Sequence, residues 1–513
     1  MFASALPVSR PHFLPGQAAA ESAPVAEITL DLNRVHKWDM SNGDTWDPFW
    51  ADDGNLYAFN CDGRGFGAKG MNLAFNRLSG DTPSTLVGAQ VNPMEAYGRG
   101  GQKGPDNATW KACGQECIDG VFYAFVSRNV YGSDSGDSLL RQLAMNASLI
   151  KSHDRGLTWV RSAQHNYDYP MWPGRRFGTP FFIHYGQNGG QVSRDGAREY
   201  VYAVSTNGFW NDGDSLILAR VRRSQLPGLN SADWEYLAGS DGSLASGWSR
   251  KIESANPILE RPAKCGQTPV CYLPALGTYL LISWYNTRPM KQWFRPNEMR
   301  YDFYQAPHPW GPWNLVSSFS DRFMGPEYHM YGPSLCARSQ EPRPEGVQIS
   351  LFTAGCPFED VPATPYKLWH IPVLLRTAHL PEAKTVPASD QSIMYHGSWF
   401  PWTTTEDNSE DLLPRATQTR GDSAELVFDG TGVEYIAQKT IGQGHVEIWL
   451  DGEQQSTENL DLVDFPVFFG VTVFSRTRMP RGKHTLRIVA AGDGRINLEG
   501  FRVFTSSNRC GAG

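Results

Sequence analysis

The chain lacks any run of about eighteen apolar residues, so nothing in it reads as a membrane span. It also lacks clustered positive charge. Its 46 Lys and Arg are scattered among 53 Asp and Glu, for a net charge of -7, which argues against nucleic acid and anionic membranes as partners. Long helical periodicity is missing, and so is a Gly-x-Ser-x-Gly elbow, which disfavours a Ser-His-Asp hydrolase. The eight cysteines do not space like zinc ligands, because Cys113 and Cys117 have no second close pair near them. No metal or cofactor is expected beyond a structural calcium. Cys265 with Cys271, and Cys336 with Cys356, could instead staple loops, and the alternative leaves all eight as buried thiols.

What is present is glycine, proline and aromatic residues: 51 Gly, 35 Pro and 17 Trp in 513 residues. Short alternating runs bounded by Gly, Pro, Asn and Asp recur from Ile28 to about Ala378, among them Val121–Val126, Leu143–Ile150 and Tyr279–Trp284. Such a pattern predicts an all-β architecture, closed or radially repeated. Ser152-His153-Asp154-Arg155-Gly156-Leu157-Thr158-Trp159 sharpens it to a propeller. There Ser and Asp bond turn amides, Gly takes the positive φ and Trp packs beneath the blade. At sixty to seventy residues per blade, the length allows roughly five blades.

The expected organisation is a disordered leader at 1–27, a five-bladed β-propeller at 28–380 and a linker or crossing strand at 381–395. A jelly-roll-like β-sandwich at 396–507 and a short disordered tail at 508–513 follow. The sandwich is read from alternating strands with tight turns, such as His445–Leu450 before Asp451-Gly452. Two glycosylation sequons, Asn107-Ala108-Thr109 and Asn146-Ala147-Ser148, fit a secreted, extracellular protein, expected as a monomer.

Gly43 to Gly67 concentrates the chemistry. Asp44, Asp47, Asp52, Asp53 and Asp62 stand among Trp46, Phe49 and Trp50, with an alternating strand from Asn55 to Asn60 between turns. Carboxylates can do acid/base or nucleophilic work on a glycosidic bond, and aromatic faces can stack on sugar rings. Asp and Gly also build turns, and Asp52 and Asp53 before Gly54 read that way. Candidate substrate contacts are Trp46, Trp50, Arg64, Trp284, Asn286, Glu327, His329 and Tyr331. Asn211, Asp212 and Asp214 read as a turn, and His370 as a satisfied core histidine.

Gly43–Gly67, Arg176–Phe182, Glu199–Ser205, Leu216–Val221 and Tyr331-Gly332-Pro333-Ser334 together resemble the five-bladed propeller family that includes microbial endo-D-arabinanases. The likeness spans roughly residues 30–380. It implies a glycosidase of furanosidic linkages, arabinan-type first and endo-acting, with a polysaccharide as partner. It implies Asp44 and Asp62 as the catalytic pair, Asp44 as nucleophile and Asp62 as acid/base. The C-terminal region resembles β-sandwich modules appended to glycoside hydrolases, through Gly430–Tyr435, Leu450-Asp451-Gly452 and Gly482–Leu486. The run Asn60-Cys61-Asp62 into Arg64 and Phe66 departs from the family pattern, which bears on substrate identity. A non-catalytic glycan-binding propeller and a polysaccharide lyase are the alternatives.

Overall fold

A computed structural model describes residues 25–505, except 81–84, 138–139, 164–169, 192–198, 240–246, 288–298, 325–329, 344–345, 356–365, 378–381, 403–413, 462–466 and 477–478. The described residues form an all-β chain whose helical segments are single 3-10 turns.

Five antiparallel units of sheet follow one another in the first three quarters of the sequence, and the third and fourth are joined into one ten-stranded sheet where Thr179–His184 pairs in parallel with Val270–Leu273. Their first strands are Phe49–Trp50, Thr109–Ile118, Thr179–His184, Val270–Leu273 and Met330–Arg343. Each opens a meander in which successive strands pair with their neighbours. These first strands touch in a closed sequence: each contacts the next, and Met330–Arg343 returns to Phe49–Trp50. Their near-continuous burial follows from that position. Thr109–Ile118 and Thr179–His184 are buried at every residue, and they are rich in small, aromatic and β-branched side chains. The fifth sheet takes its outermost strand from the other end of the chain, where Val25–Leu30 pairs antiparallel with Leu368–Thr377. That strand begins inside the stretch expected as a leader.

The Ser152–Trp159 turn has the expected chemistry. Asp154 accepts from the Thr158 amide at 2.9 Å and from its hydroxyl at 2.6 Å, while Ser152 Oγ accepts from Gly156 N at 2.8 Å. Gly156 takes a φ of 88°, where a side chain would meet the Phe75 ring. The Trp159 ring packs on Phe59 and Phe75, with centroids 5.2 and 5.1 Å away.

The remaining strands build three further antiparallel sheets, two larger ones that share one core and a short one of Phe400–Pro401, Arg415–Thr417 and Ile496–Leu498. Of the larger two, one orders Glu382–Pro387, Gly500–Thr505, Gly432–Thr440 and Val467–Arg476; the other runs from Ile393–His396 to Glu453–Asn459. Tyr435 and Phe501 from the first meet Leu426, Leu486 and Ile488 from the second in that core. Glu382–Pro387 is a strand, the second of its two expected forms, because its backbone finds a full ladder on Gly500–Thr505. The core continues into the fifth sheet. Buried Arg376 there pairs with buried Glu434, which Arg502 also reaches at 2.8 Å.

Of the two cysteine readings, the described residues follow the one with buried thiols and not the staples. Cys265 and Cys271 are separate buried thiols, as is Cys336. The first two lie on different strands, Pro257–Cys265 and Val270–Leu273, and each thiol faces a backbone carbonyl, of Arg261 and Tyr272. Cys356 lies outside the described residues.

Candidate active site

The site is built at the start of the first sheet. Asp44 and Cys61 form a two-way backbone bridge, with Asp44 N to Cys61 O at 3.0 Å and Cys61 N to Asp44 O at 2.8 Å. That bridge sets Asp62, the next residue, beside Asp44. Gly43 permits it: a Cβ there would stand 2.7 Å from Cys61 O, and its φ is 126°. Thr45 and Asp62 both hold left-handed backbone, at φ 51° and 46°. Such conformations cost energy in residues with a Cβ and concentrate at functional sites.

The second sheet supplies the counter-charge. Cys61 Sγ accepts from Ala112 N at 3.3 Å, which docks the strand carrying Asp62 against Thr109–Ile118. Lys111 on that strand is buried and salt-bridged to Asp62. Tyr131 closes the group: its hydroxyl donates to Asp62 Oδ2 at 3.2 Å and accepts from Lys111 Nζ at 3.3 Å. Asp44 is held by hydroxyls. Tyr331 from the fifth sheet donates to Asp44 Oδ2, and Tyr366 bonds the same carboxyl.

The two acids therefore sit in unequal surroundings. Burial, and then the charge of Asp62, push the Asp44 carboxyl up to about 6, against the pull of Lys111 and the two tyrosines. Burial opposes the charge on Lys111 and is the largest single influence, but Asp62, Tyr131 and Asp44 together outweigh it, so the ammonium is held above its usual range. The Asp62 side chain keeps 25% exposure, so this is the member of the pair that meets solvent. One carboxyl that holds a proton near neutrality beside one locked to a cation is an acid/base pair in chemical terms.

A second charged cluster ties the sheets beneath. His184 Nε2 meets Asp47 Oδ1 at 3.1 Å and its Nδ1 meets Glu116 Oε2 at 2.9 Å. Ser334 Oγ donates to Asp47 Oδ1 at 2.5 Å. These four side chains come from the first, second, third and fifth sheets and are all buried. Burial opposes protonation of His184, yet Asp47 and Glu116 raise it to about 10. Among the described residues, no group of three His, Cys, Asp or Glu side chains is disposed to hold a metal ion.

The residues expected from sequence are placed as follows. Asp44, Asp62 and Tyr331 come together. Trp284 is fully buried and packs its ring on Tyr331, centroids 5.8 Å apart. Trp46 is also fully buried, with its indole N–H on Gly43 O and its ring against Phe66. Neither offers an open face. Trp50 is half-buried, and Arg64 donates to Gly67 O at 2.9 Å within its own turn. Asn286 is engaged by Asp212, through its amide at 2.8 Å and its side chain at 3.2 Å. Glu327 and His329 lie outside the described residues. Asp53 is a turn residue, accepting from Asn55 N at 3.0 Å and pairing with Arg155 at 2.6 Å. His370 is the satisfied core histidine expected, bonded to Ser350 Oγ at 2.9 Å.

Sequence reasoning missed Lys111, Tyr131, Tyr366, Glu116 and His184. The available signal was charge in the wrong place. Lys111 and Glu116 sit in Thr109–Ile118, a strand that is otherwise apolar, small or uncharged, and a buried charge there demands a partner.

No family model matches the chain. Over 111 residues it is 34% identical to the A type blood alpha-D-galactosamine galactosaminidase of Flavonifractor plautii. That match takes in 21% of this chain and 10% of the relative, so the chain spans a small fraction of that protein. Among solved structures, an exo-beta-1,3-galactanase of Phanerochaete chrysosporium with beta-1,3-galactotriose aligns over 93% of this chain and 100% of its own, at 9% identity and a TM-score of 0.40. The xyloglucan PUL protein GH43B of Bacteroides ovatus aligns over 92% and 100%, at 9% identity and a TM-score of 0.34. Likeness at this level says nothing of the substrate, and the chemistry rests on the site itself.

Proposed function

We propose that the chain is a glycoside hydrolase working through Asp44 and Asp62, on a five-bladed β-propeller followed by a β-sandwich. The ring of five first strands supports the propeller, and the two C-terminal sheets around one core support the sandwich. The observation that carries the function is the unequal carboxyl pair. Asp44 is buried and holds its proton to about pH 6, whereas Asp62 is salt-bridged to Lys111 and meets solvent.

That inequality favours roles opposite to those the family resemblance implies. Asp44 delivers its proton to the glycosidic oxygen as the C–O bond breaks. Asp62, salt-bridged to Lys111, attacks the anomeric carbon or takes the proton from the water that does. Tyr331 and Tyr366 fix the Asp44 carboxyl, and Tyr131 fixes that of Asp62. A lyase reading is weaker, because neutralising a uronate needs a cation to spare, and Lys111 is engaged by Asp62.

Furanosidic polysaccharides, arabinans first, are the proposed substrates, with endo cleavage. The galactosaminidase relative adds α-galactosaminides to the panel. The test is chromatographic detection of oligosaccharide release from D-arabinan, L-arabinan, fructan and α-galactosaminides by wild type, Asp44→Asn and Asp62→Asn. The expected result is release from one substrate class, lost in both variants with folding intact. Release that survives in both removes the pair. Binding without release by the wild type makes the protein a glycan-binding propeller.

A further inference from the structure

The Tyr331 hydroxyl reaches Asp44 from the fifth unit of sheet, and a tyrosine side chain turns about its own bonds unless something holds it. Its backbone is set by a bulge. Tyr331 stands opposite Ala354 and Ser334 opposite Phe352, so Met330–Arg343 carries one residue more than Gly346–Gly355 between these pairs. Gly332, inside the bulge, takes a φ of 58° and lies against Thr45, the neighbour of Asp44. A Cβ there would stand 3.4 Å from Thr45 Cα. Bulges bend a strand and re-aim its side chains, and they gather beside active sites.

The fourth unit grips Tyr331 through two residues that face each other on Thr278–Asn286 and Met299–Ala306, namely Trp284 and Tyr301. Trp284 packs its ring on that of Tyr331, with centroids 5.8 Å apart. Tyr301 acts through Thr353, which lies between Phe352 and Ala354, across from the bulge. Thr353 Oγ1 donates to Tyr331 O at 2.9 Å and meets Tyr301 Oη at 2.9 Å. A hydroxyl has one proton to give, so Tyr301 donates to Thr353 and Thr353 to the Tyr331 carbonyl. Trp284, Tyr301 and Thr353 are all fully buried. The end of the strand that carries Trp284 is pinned in turn, since Asp212 accepts from the Asn286 amide at 2.8 Å.

We propose that Trp284, Tyr301 and Thr353 are positioning residues for Asp44, holding Tyr331 so that its hydroxyl stays on the Asp44 carboxyl. The purpose of this arrangement rests on the glycosidase reading, while its contacts do not. The groups that face Asp44 are Asp62, Lys111, the hydroxyls of Tyr331, Tyr366 and Thr45, and the thiol of Cys61. Burial and Asp62 push the carboxyl up, and Lys111, Tyr331 and Tyr366 pull it down. Loosening Tyr331 therefore leaves Asp44 holding its proton to higher pH.

The test reads Asp44 through stability and needs no turnover. Melting temperatures of the full chain from pH 4 to 8 are compared with and without Asp44→Asn, in wild type, Thr353→Val, Trp284→Phe and Tyr331→Phe. The gain that Asp44→Asn gives at high pH measures how tightly the native carboxyl holds its proton. Trp284→Phe trims the ring without breaking a hydrogen bond, because the indole N–H meets no acceptor among the described residues. In each of the three variants the gain at pH 8 should exceed that in wild type by about 2 °C or more. Thr353→Val should add nothing further in the Tyr331→Phe background. A merely structural role lowers the melting temperature and leaves the gain as it is in wild type. A gain unchanged in both Thr353→Val and Trp284→Phe overturns the proposal, and so does one unchanged in Tyr331→Phe. Where either variant fails to fold, Tyr301→Phe, which loses only an oxygen, takes its place under the same criterion. Absence of turnover on every glycan would remove the glycosidase reading without moving these melts, so the two failures are told apart.

Discussion

Asp44 shows how one residue can serve chemistry at the expense of stability. Its carboxyl is held at about 6, against an ordinary 3.8, by burial and the charge of Asp62. A carboxyl raised in the folded state binds its proton more tightly there than in the unfolded chain. Its stabilising contribution is therefore complete below about pH 4 and is lost as pH rises through 6. The shift is worth about 3 kcal/mol as an order of magnitude. Asp44→Asn, which stays neutral, should raise the melting temperature at pH 7 and leave it nearly unchanged at pH 4, while activity falls by about 100-fold or more. Thermal melts at the two pH values check this, and a variant destabilised at pH 7 would contradict it. Lys111→Met removes the ammonium that lowers the Asp44 carboxyl. The alkaline limb of its pH–rate profile should move above that of wild type, with turnover reduced. An unshifted limb would mean that Lys111 only fills space.

At the scale of elements, the cluster of His184, Asp47 and Glu116 joins the first, second and third sheets. His184→Gln leaves two buried carboxylates without their cation, and a loss of about 3–5 kcal/mol is expected in urea unfolding. The wild type carries the complementary signature. His184 is raised to about 10, so its contribution is complete below about pH 6.5 and is lost as pH climbs toward 10. Urea midpoints from pH 7 to 10 should fall in wild type and stay flatter in the variant. The Ser152–Trp159 turn is a different case, since its polar groups serve only the turn. Asp154→Ala should cost about 1–2 kcal/mol and leave activity unchanged.

These elements also mark what the sequence made legible. The turn could be read because its bonds are local: Ser152, Asp154, Gly156 and Thr158 bond one another within a few residues. Asp44 and Asp62 could be placed together because one short hairpin separates them. The cation was not legible, since Lys111 is 49 residues from Asp62 and meets it only when two sheets pack. Tyr331 is 287 residues from Asp44, and its contact depends on the fifth sheet closing against the first. Trp46 and Trp284 were proposed as sugar platforms because composition does not distinguish a core tryptophan from an open one. The pairing of Glu382–Pro387 was not legible, because its partner strand, Gly500–Thr505, lies at the far end of the sequence.

For the whole molecule, the continuous core and the Arg376–Glu434–Arg502 network join the fifth unit of sheet to the C-terminal sheets. Calorimetry should show one unfolding transition in wild type. Glu434→Ala strands Arg376 in the joint, and the single transition should split or drop by several degrees. A wild type that already melts in two separate steps would contradict this coupling. Contact of the first strands with one another brings Asp44, Asp62, Lys111, Tyr131 and Tyr331 to one place. The central claim is that Asp44 is the proton donor of that assembly. The measurement that tests it most directly compares two substrates, the natural glycan and a dinitrophenyl glycoside of the same sugar, with wild type, Asp44→Asn and Asp62→Asn. A dinitrophenolate leaves without protonation. Asp44→Asn should therefore recover most of its bond-breaking rate on the activated substrate, while Asp62→Asn stays inactive on both. Recovery in Asp62→Asn and not in Asp44→Asn would reverse the roles and contradict the account.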